Sequence, residues 1–270
     1  MTITGATRLY PLVGHPVAQV RTPPAINAWL AEQDQDAVMV PADILPGRIT
    51  AFFDMLRDWP NCGGCSVTIP HKQAAFRAMD QLTERARQIG AVNIIRRDAD
   101  GSLSGDMTDG LAFVAALRQA GCEPAGKTAL LAGGGGGAGL AIALALAEVG
   151  VERLCLLEPN ADRRARAMDI LRDAYPALAL DIDPGAGGFD IGVNASPLGM
   201  VPDDPMPFDP VLIRAGGLAG DVVTKPPLTP LLLAAQERGL AIVTGIAMAD
   251  AQLPFQMRHL GLWRDDISFN

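Results

Sequence analysis

Lys127-Thr-Ala-Leu-Leu-Ala-Gly133-Gly134-Gly135-Gly136-Gly137-Ala138-Gly139-Leu140-Ala141-Ile142 is the stretch that decides the fold. The run Thr128–Ala132 is apolar and stops at glycine, which predicts a buried parallel strand. Residues 140–149 are apolar and alanine-rich, which predicts a helix packed against it. Between the two, Gly134, Gly136 and Gly139 satisfy G-x-G-x-x-G, with Gly137 and Ala138 inside the motif. Such glycines permit a tight turn, let backbone N–H groups approach a pyrophosphate, and let helix close on strand. Five glycines alone would also describe a flexible loop. The strand before them and the helix after them make the run a dinucleotide fingerprint.

Working outward, a second strand is predicted at Arg153–Leu157, ending at Glu158, nineteen residues after Gly139. An acidic side chain there hydrogen-bonds adenosine ribose hydroxyls and repels a 2′-phosphate, so the expected cofactor is NAD, with NADP possible. Two alternatives stay open: Glu158 only caps the next helix, or Arg163 or Arg164 meets a phosphate. Past this point helices and strands alternate, with later strands at 191–194, 218–222 and 240–243, as in a doubly wound parallel sheet.

Upstream, Ser66-Val67-Thr68-Ile69-Pro70-His71-Lys72 is a short strand that stops at proline and delivers a lysine. Gly105-Asp106-Met107-Thr108-Asp109-Gly110 delivers a carboxylate just before an apolar helix. A lysine whose pKa is moved by burial or a cleft, oriented by an aspartate, can carry a proton to and from a hydroxyl. A proton shuttle beside a nicotinamide site implies alcohol–carbonyl interconversion by hydride transfer. Taken alone, Lys72 and Asp109 would read as an ordinary surface ion pair.

Together these segments resemble the shikimate/quinate dehydrogenase family over nearly the whole chain. Gly14-His15-Pro16-Val17-Ala18 is similar to its opening substrate loop, and residues 66–72 to N-V-T-[IV]-P-x-K, whose lysine is the catalytic acid/base. Gly90-Ala91-Val92-Asn93 matches G-A-V-N, and residues 105–110 match G-D-N-T-D-G. Asn194-Ala195-Ser196-Pro197-Leu198-Gly199-Met200 resembles N-A-[TS]-P-L-G-M, and Thr229-Pro230-Leu231-Leu232 with Gly245…Gln252 resembles the closing segments. The resemblance implies Lys72 and Asp109 as catalytic residues, and Thr22, Thr68, Asn93, Thr224 and Gln252 as substrate contacts, with Arg21 beside them. It implies a cofactor set of Gly134, Gly136, Gly137, Ala138, Gly139, Glu158, Asn194, Ala195, Pro197, Leu198, Val222 and Gly245. The reaction implied is reversible oxidation of a cyclic hydroxy acid, shikimate, quinate or a close analogue, within aromatic amino-acid biosynthesis. In it Lys72, neutral in the reactive state, accepts the hydroxyl proton as hydride leaves the same carbon, and a closing cleft excludes water.

The chain also departs from the family. Val20 stands where the first carboxylate-binding hydroxyl of S-x-[ST] is expected, leaving Thr22. Ser66 and Met107 replace asparagines, and Thr224 falls where a tyrosine is usual. A carboxylate would be under-satisfied in such a pocket unless Arg21 supplies a charge-assisted contact, and Arg21 could equally face water. The pattern suggests a paralogue acting on a related hydroxy acid. It also motivates a second reading, a dinucleotide-binding metabolite sensor without turnover, against which the retention of both Lys72 and Asp109 argues.

The fold class expected is α/β in two domains. Residues 1–109, completed by a returning helix at 246–270, form a substrate domain, and 110–245 a Rossmann-type dinucleotide domain. In the first, strands are predicted at 9–13, 37–41 and 64–69, and helices at 23–33, 48–56 and 73–79. Asp98-Ala99-Asp100-Gly101 reads as a hairpin turn joining 93–97 to 102–105. Pro254 sits poorly inside a helix, so the last helix is expected to start late or kink.

With 270 residues the chain holds one large or two medium domains. A net charge of −8 with no basic block argues against nucleic acid. No apolar run reaches the ~18 residues of a membrane span, and no signal peptide is visible, which together suggest a cytoplasmic enzyme, monomer or homodimer. Cys62-Gly63-Gly64-Cys65 invites a redox or zinc reading, but further ligands are scattered, so the cysteines are expected to be reduced and structural, with no metal. His71 is expected to pack behind the catalytic lysine or to sit at the cleft rim, His15 to be a modest ligand candidate, and His259 to be exposed.

Overall fold

A computed structural model describes residues 2–18, 20 and 22–263, and Arg21 therefore lies outside the described residues. Contacts divide the chain into two units, Met1–Thr108 with Gln252–Asn270, and Asp109–Ala251.

The first unit runs β1 (Arg8–Gly14), α1 (Thr22–Glu32), β2 (Ala37–Asp43), α2 (Ile49–Arg57), β3 (Gly64–Val67), α3 (Lys72–Ala78), β4 (Gln81–Leu82), α4 (Glu84–Ile89), β5 (Ile94–Arg97) and β6 (Leu103–Asp106). Among the described residues its sheet has the order β2-β1-β3-β5-β6-β4. β1 pairs in parallel with β2 and β3, while β3–β5 and β5–β6 are antiparallel. The β5–β6 hairpin turns where Asp98–Gly101 supplies its chemistry. α2 buries Ile49, Phe52, Phe53 and Leu56, a stripe at helical spacing. α4 starts at Thr83, whose hydroxyl accepts from Ala86 N–H, and stops at Gly90 in the left-handed region.

The second unit runs α5 (Asp109–Gln119), β7 (Thr128–Ala132), α6 (Gly137–Glu148), β8 (Arg153–Leu157), α7 (Ala161–Ala174), β9 (Ala179–Asp181), β10 (Phe189–Asn194), β11 (Ile213–Asp221), α8 (Pro230–Glu237), β12 (Ala241–Val243) and α9 (Gly245–His259). All its pairings are parallel, in the order β12-β11-β10-β7-β8-β9. In strand sequence this is the 3-2-1-4-5-6 arrangement of a doubly wound dinucleotide fold, with the order reversing between β7 and β10. One core cluster joins Leu130 and Cys155, on the same face of this sheet, with Phe189, Leu231 and Leu240.

Three local expectations differ from the structure. α6 begins at Gly137, inside the glycine run, because Gly139 lets the helix start against the turn. β3 ends at Val67, and the chain turns through Ile69-Pro70 so that Lys72 opens α3. α9 does not start late: it runs Gly245–His259 with the proline inside. Leu253, Met257 and Leu260 on and just after α9 pack into the first unit's core with Tyr10, Leu12, Ile26 and Met39. Burying that face outweighs the one backbone hydrogen bond the proline forgoes.

Candidate functional site

In the first unit the loops after β1, β2 and β3 are tied together at one end of the sheet. His15 N–H donates to Ile69 O at 3.0 Å, Ile44 N–H to Gly14 O at 2.9 Å, and Thr68 N–H to Val13 O at 2.8 Å. A Cβ at Gly14 would collide with the Thr68 methyl, so glycine is what lets the first loop lie against Thr68. His71 is buried, and its Nε2 lies 2.7 Å from Ile44 O. A carbonyl only accepts, so Nε2 carries the proton and the imidazole clasps the loop after β2. His71 thus packs behind Lys72, the half-buried first residue of α3, whose carbonyl accepts from Val92 N–H at 2.9 Å.

Asn93 is buried beside these loops. Its backbone carbonyl accepts from Val67 N–H at 2.8 Å, and its Oδ1 accepts from the Thr108 N–H at 3.0 Å and hydroxyl at 3.2 Å. Thr68, Lys72 and Asn93 are therefore brought to one end of the sheet by backbone and side-chain bonds. Ser66, buried in β3, donates to Gln256 Oε1 at 3.3 Å, and Gln256 Nε2 donates to Gln252 Oε1 at 2.9 Å, which links Gln252 to the same strand. Thr22 opens α1, half-buried. Val20 packs against the Tyr10–Trp29–Met257 cluster, and Met107 is fully buried, so two of the altered positions are filled by apolar packing. His15 Nδ1 lies 2.7 Å from Asp43 Oδ1 on the surface.

His259 is not exposed, contrary to the sequence expectation. Its side chain is 10% accessible, its Nε2 lies 2.8 Å from Ser104 O, and its Nδ1 is 4.0 Å from Asp106 Oδ2. It stands on the buried side of α9. Burial holds its pKa below the ordinary imidazole range, against the pull of the Ser104 carbonyl and Asp106. Asp106 is itself buried and receives Arg85 through two nitrogens, at 2.8 and 2.6 Å, the Thr83 hydroxyl at 2.5 Å and the Met107 N–H at 2.7 Å. Burial alone would raise its carboxyl, but Arg85 and Thr83 outweigh it and hold it below the usual range.

In the second unit Asp109 is buried at the first position of α5. Gly133 leaves β7 at φ +77°, a conformation that favours glycine, and a Cβ at Gly139 would run into the Gly133 carbonyl. The turn 133–136, Gly137 and Ala138 thus form a bare-backbone cradle where the strand order reverses, the place where this fold takes its ligand. Glu158 is buried at the end of β8: Oε2 accepts from Gly135 N–H at 3.2 Å, Oε1 from Asn160 N–H at 3.0 Å and from Arg163 at 2.8 Å. Arg164 donates to the Glu158 backbone carbonyl at 2.6 Å. The helix cap is Asn160, which accepts from Arg163 N–H, so Glu158 does not serve as the cap.

Facing the cradle, Ala195 N–H donates to Ala132 O at 2.8 Å, joining the end of β10 to that of β7. Asn194 Nδ2 donates to Leu198 O at 2.9 Å and to both Asp221 oxygens at 3.1 Å, while its Oδ1 accepts from the Ser196 hydroxyl at 2.6 Å. Pro197 is exposed and Leu198 half-buried in this loop. Val222 N–H donates to Asn194 O at 3.0 Å, and Gly245 lies against the Val222 and Val223 carbonyls. Thr224 is half-buried between Asp221 and Thr229, whose hydroxyl donates to Asp221 at 2.7 Å. Burial raises the Asp221 carboxyl even though Val223, Thr229 and Asn194 all donate to it.

Sequence reasoning missed Gln256, Asp106, His259 and Asp221. Gln256 was signalled by its i, i+4 spacing from Gln252, and Asp106 by its place inside a motif. Nothing local marks His259 or Asp221, whose partners are distant in sequence. Cys62, Cys65 and Cys155 are buried free thiols, and among the described residues no group of three His, Cys, Asp or Glu is placed to hold a metal ion.

With this geometry the chain was compared with known proteins. Residues 12–95 match the model of the shikimate dehydrogenase substrate binding domain. A shikimate dehydrogenase (NADP(+)) of Rubrobacter xylanophilus is 40% identical over 256 residues, 91% of this chain and 88% of that protein. Among solved structures, a shikimate 5-dehydrogenase of Listeria monocytogenes in complex with shikimate and NAD superposes with a TM-score of 0.84 at 27% identity, covering 97% of this chain and 93% of that one. A quinate dehydrogenase of Corynebacterium glutamicum in complex with NAD gives 0.83 at 28% identity, covering 94% and 93%. Six motifs in order, a mixed sheet followed in sequence by a doubly wound one, and a relative of that identity along most of its length lead to one conclusion: the chain belongs to the shikimate dehydrogenase family.

Proposed function

We propose that this chain catalyses reversible hydride transfer between a nicotinamide dinucleotide and a cyclic hydroxy acid, shikimate, quinate or a close analogue, and that its cofactor is NAD. The observation that carries the reading is the joining of Thr68, Lys72, Asn93 and, through Ser66 and Gln256, Gln252 at one end of the first unit's sheet. It belongs to a chain whose second unit carries a glycine cradle at a strand-order reversal. The first unit is the substrate-binding one and the second holds the dinucleotide. When bound, the dinucleotide supplies the hydride acceptor.

The chain's own residues supply the rest. Lys72 and Asp109 are the acid/base pair, Lys72 taking the hydroxyl proton as the alcohol is oxidised and returning it in reverse. Asn93, Thr68 and Gln252 fix ring hydroxyls, and Thr22 receives the carboxylate. Gly134, Gly136, Gly137, Ala138 and Gly139 hold the pyrophosphate on N–H groups at the start of α6. The loop Asn194–Leu198 with Val222 and Gly245 lines the nicotinamide half. Glu158 supports NAD: three donors leave its carboxylate an acceptor position for a ribose hydroxyl, and its negative charge repels a 2′-phosphate. The packed Val20 and Met107 support an altered hydroxy-acid preference, and a sensor would have no use for the retained lysine–aspartate pair.

The test is reduction of NAD and of NADP followed by absorbance, with shikimate, quinate and their amino and deoxy analogues offered in turn. Turnover with NAD above NADP is expected. Lys72→Ala should lower kcat by about 10²–10⁴-fold, and unchanged turnover in that variant removes Lys72 from the mechanism.

A further inference from the structure

Ser66 departs from the asparagine that the motif leads one to expect, yet it is not idle. It lies in the middle of β3, paired with Leu12 of β1 on one side and Ile94 of β5 on the other, and it is 3% exposed. A serine hydroxyl there has to find a partner or cost the strand its desolvation. The partner is Gln256, also 3% exposed, one turn along α9 from Gln252.

The two bonds have a direction. Ser66 Oγ donates to Gln256 Oε1, so the amide oxygen of Gln256 faces β3 and its Nε2 faces the other way, where it donates to Gln252 Oε1. Serine is short, and Gln256 carries its contact on to Gln252. Both glutamines otherwise have long side chains with several rotamers to lose on ordering.

We infer that Ser66 and Gln256 form a buried relay that sets the rotamer and amide orientation of Gln252, making Ser66 a positioning residue for hydroxy-acid recognition. This rests on the reading of Gln252 as a substrate contact. The relay acts on the substrate side alone, because every member lies in the unit that carries β3 and the end of α9. Breaking it raises the KM for the hydroxy acid and leaves the KM for the dinucleotide where it was.

The test is a double-mutant cycle on the full chain, with dinucleotide saturating and shikimate or quinate varied. Ser66→Ala removes the donor, and Gln256→Met removes the amide while keeping length and packing. Each single variant should raise the hydroxy-acid KM about 5–30-fold, the loss of one buried hydrogen bond. In the Gln256→Met background, Ser66→Ala should add less than about twofold, because the residue it acts through is gone. Thermal midpoints measured alongside separate folding from positioning, since a merely structural role lowers stability without a selective rise in hydroxy-acid KM. Additive effects in the cycle, or equal rises in both KM values, overturn the relay while leaving Gln252 in place. An unchanged KM in Gln252→Ala, or a parent that turns over neither acid nor any of their amino and deoxy analogues, removes the reading of Gln252 and the relay with it.

Discussion

At the scale of single residues, two of the buried ionisable groups of the first unit, His259 and Asp106, make a statement about pH. His259 is held below the ordinary imidazole pKa by burial, with Arg96 and Arg85 adding to the effect and the Ser104 carbonyl and Asp106 opposing it. The folded protein therefore binds a proton there less readily than the unfolded chain does. Its contribution to stability is full above the unfolded value of about 6.5 and is lost as pH falls through the lower folded value. Asp106 has the same sign lower down, its contribution present above about 3.9 and lost as acid overcomes Arg85. Thermal midpoints should thus decline in two stages on acidification. His259→Gln, which keeps a donor within reach of Ser104 O, should flatten the first stage, which begins as pH falls below about 6.5, while leaving the second. A parent whose midpoint does not change over that first range would show that His259 is not the buried neutral group described.

At the scale of elements, the glycine turn and α6 are one device. Gly139 is in the first turn of α6 and its missing side chain is what lets the helix close on the Gly133 carbonyl. Gly139→Ala should push α6 away from β7 and disorder the N–H groups of the cradle. The expected outcome is loss of dinucleotide binding by calorimetry, at least tenfold, with a destabilisation of about 1–3 kcal/mol from overpacking. Ala141→Ser, buried on the same helix against Gly110 and not part of the cradle, is the control for a packing change in α6 alone. Equal dinucleotide affinity in Gly139→Ala and the parent would detach the glycine run from cofactor binding.

At the scale of the whole molecule, the first unit is discontinuous. Its core of Tyr10, Leu12, Ile26, Trp29 and Met39 is completed by Leu253, Met257 and Leu260, which follow the entire second unit in sequence. Trp29 also stacks on Trp263 at 5.9 Å. A chain ended after Ala251 leaves that cluster open, and each lost Leu or Met costs about 2–5 kcal/mol, comparable in sum with the stability of a domain. Limited proteolysis of the shortened protein should cut within residues 8–108 and spare 109–251. Protection of both regions alike would mean that the end of α9 is dispensable.

How much of this was legible beforehand follows from the range over which each interaction acts. The parallel strand at β7, the turn after it and the helix that follows were readable because a glycine run between two apolar segments is a local code, and the Lys72 and Asn93 motifs were readable as short contiguous strings. The sequence also showed that Val20, Ser66, Met107 and Thr224 are unusual, though not what they do. Only tertiary structure decided that Val20 and Met107 are packing, that Ser66 reaches Gln252 through Gln256, that Glu158 is clasped by Gly135 and Arg163, and that His259 is buried against Ser104. The early start of α9 was hidden for the same reason: a helix-breaking Pro254 is a local cost, and the burial that outweighs it comes from strands and helices far earlier in the chain, from Tyr10 to Ile94. Motifs declare themselves where the chain meets a ligand with neighbouring residues, and partners stay hidden where folding brings distant residues together.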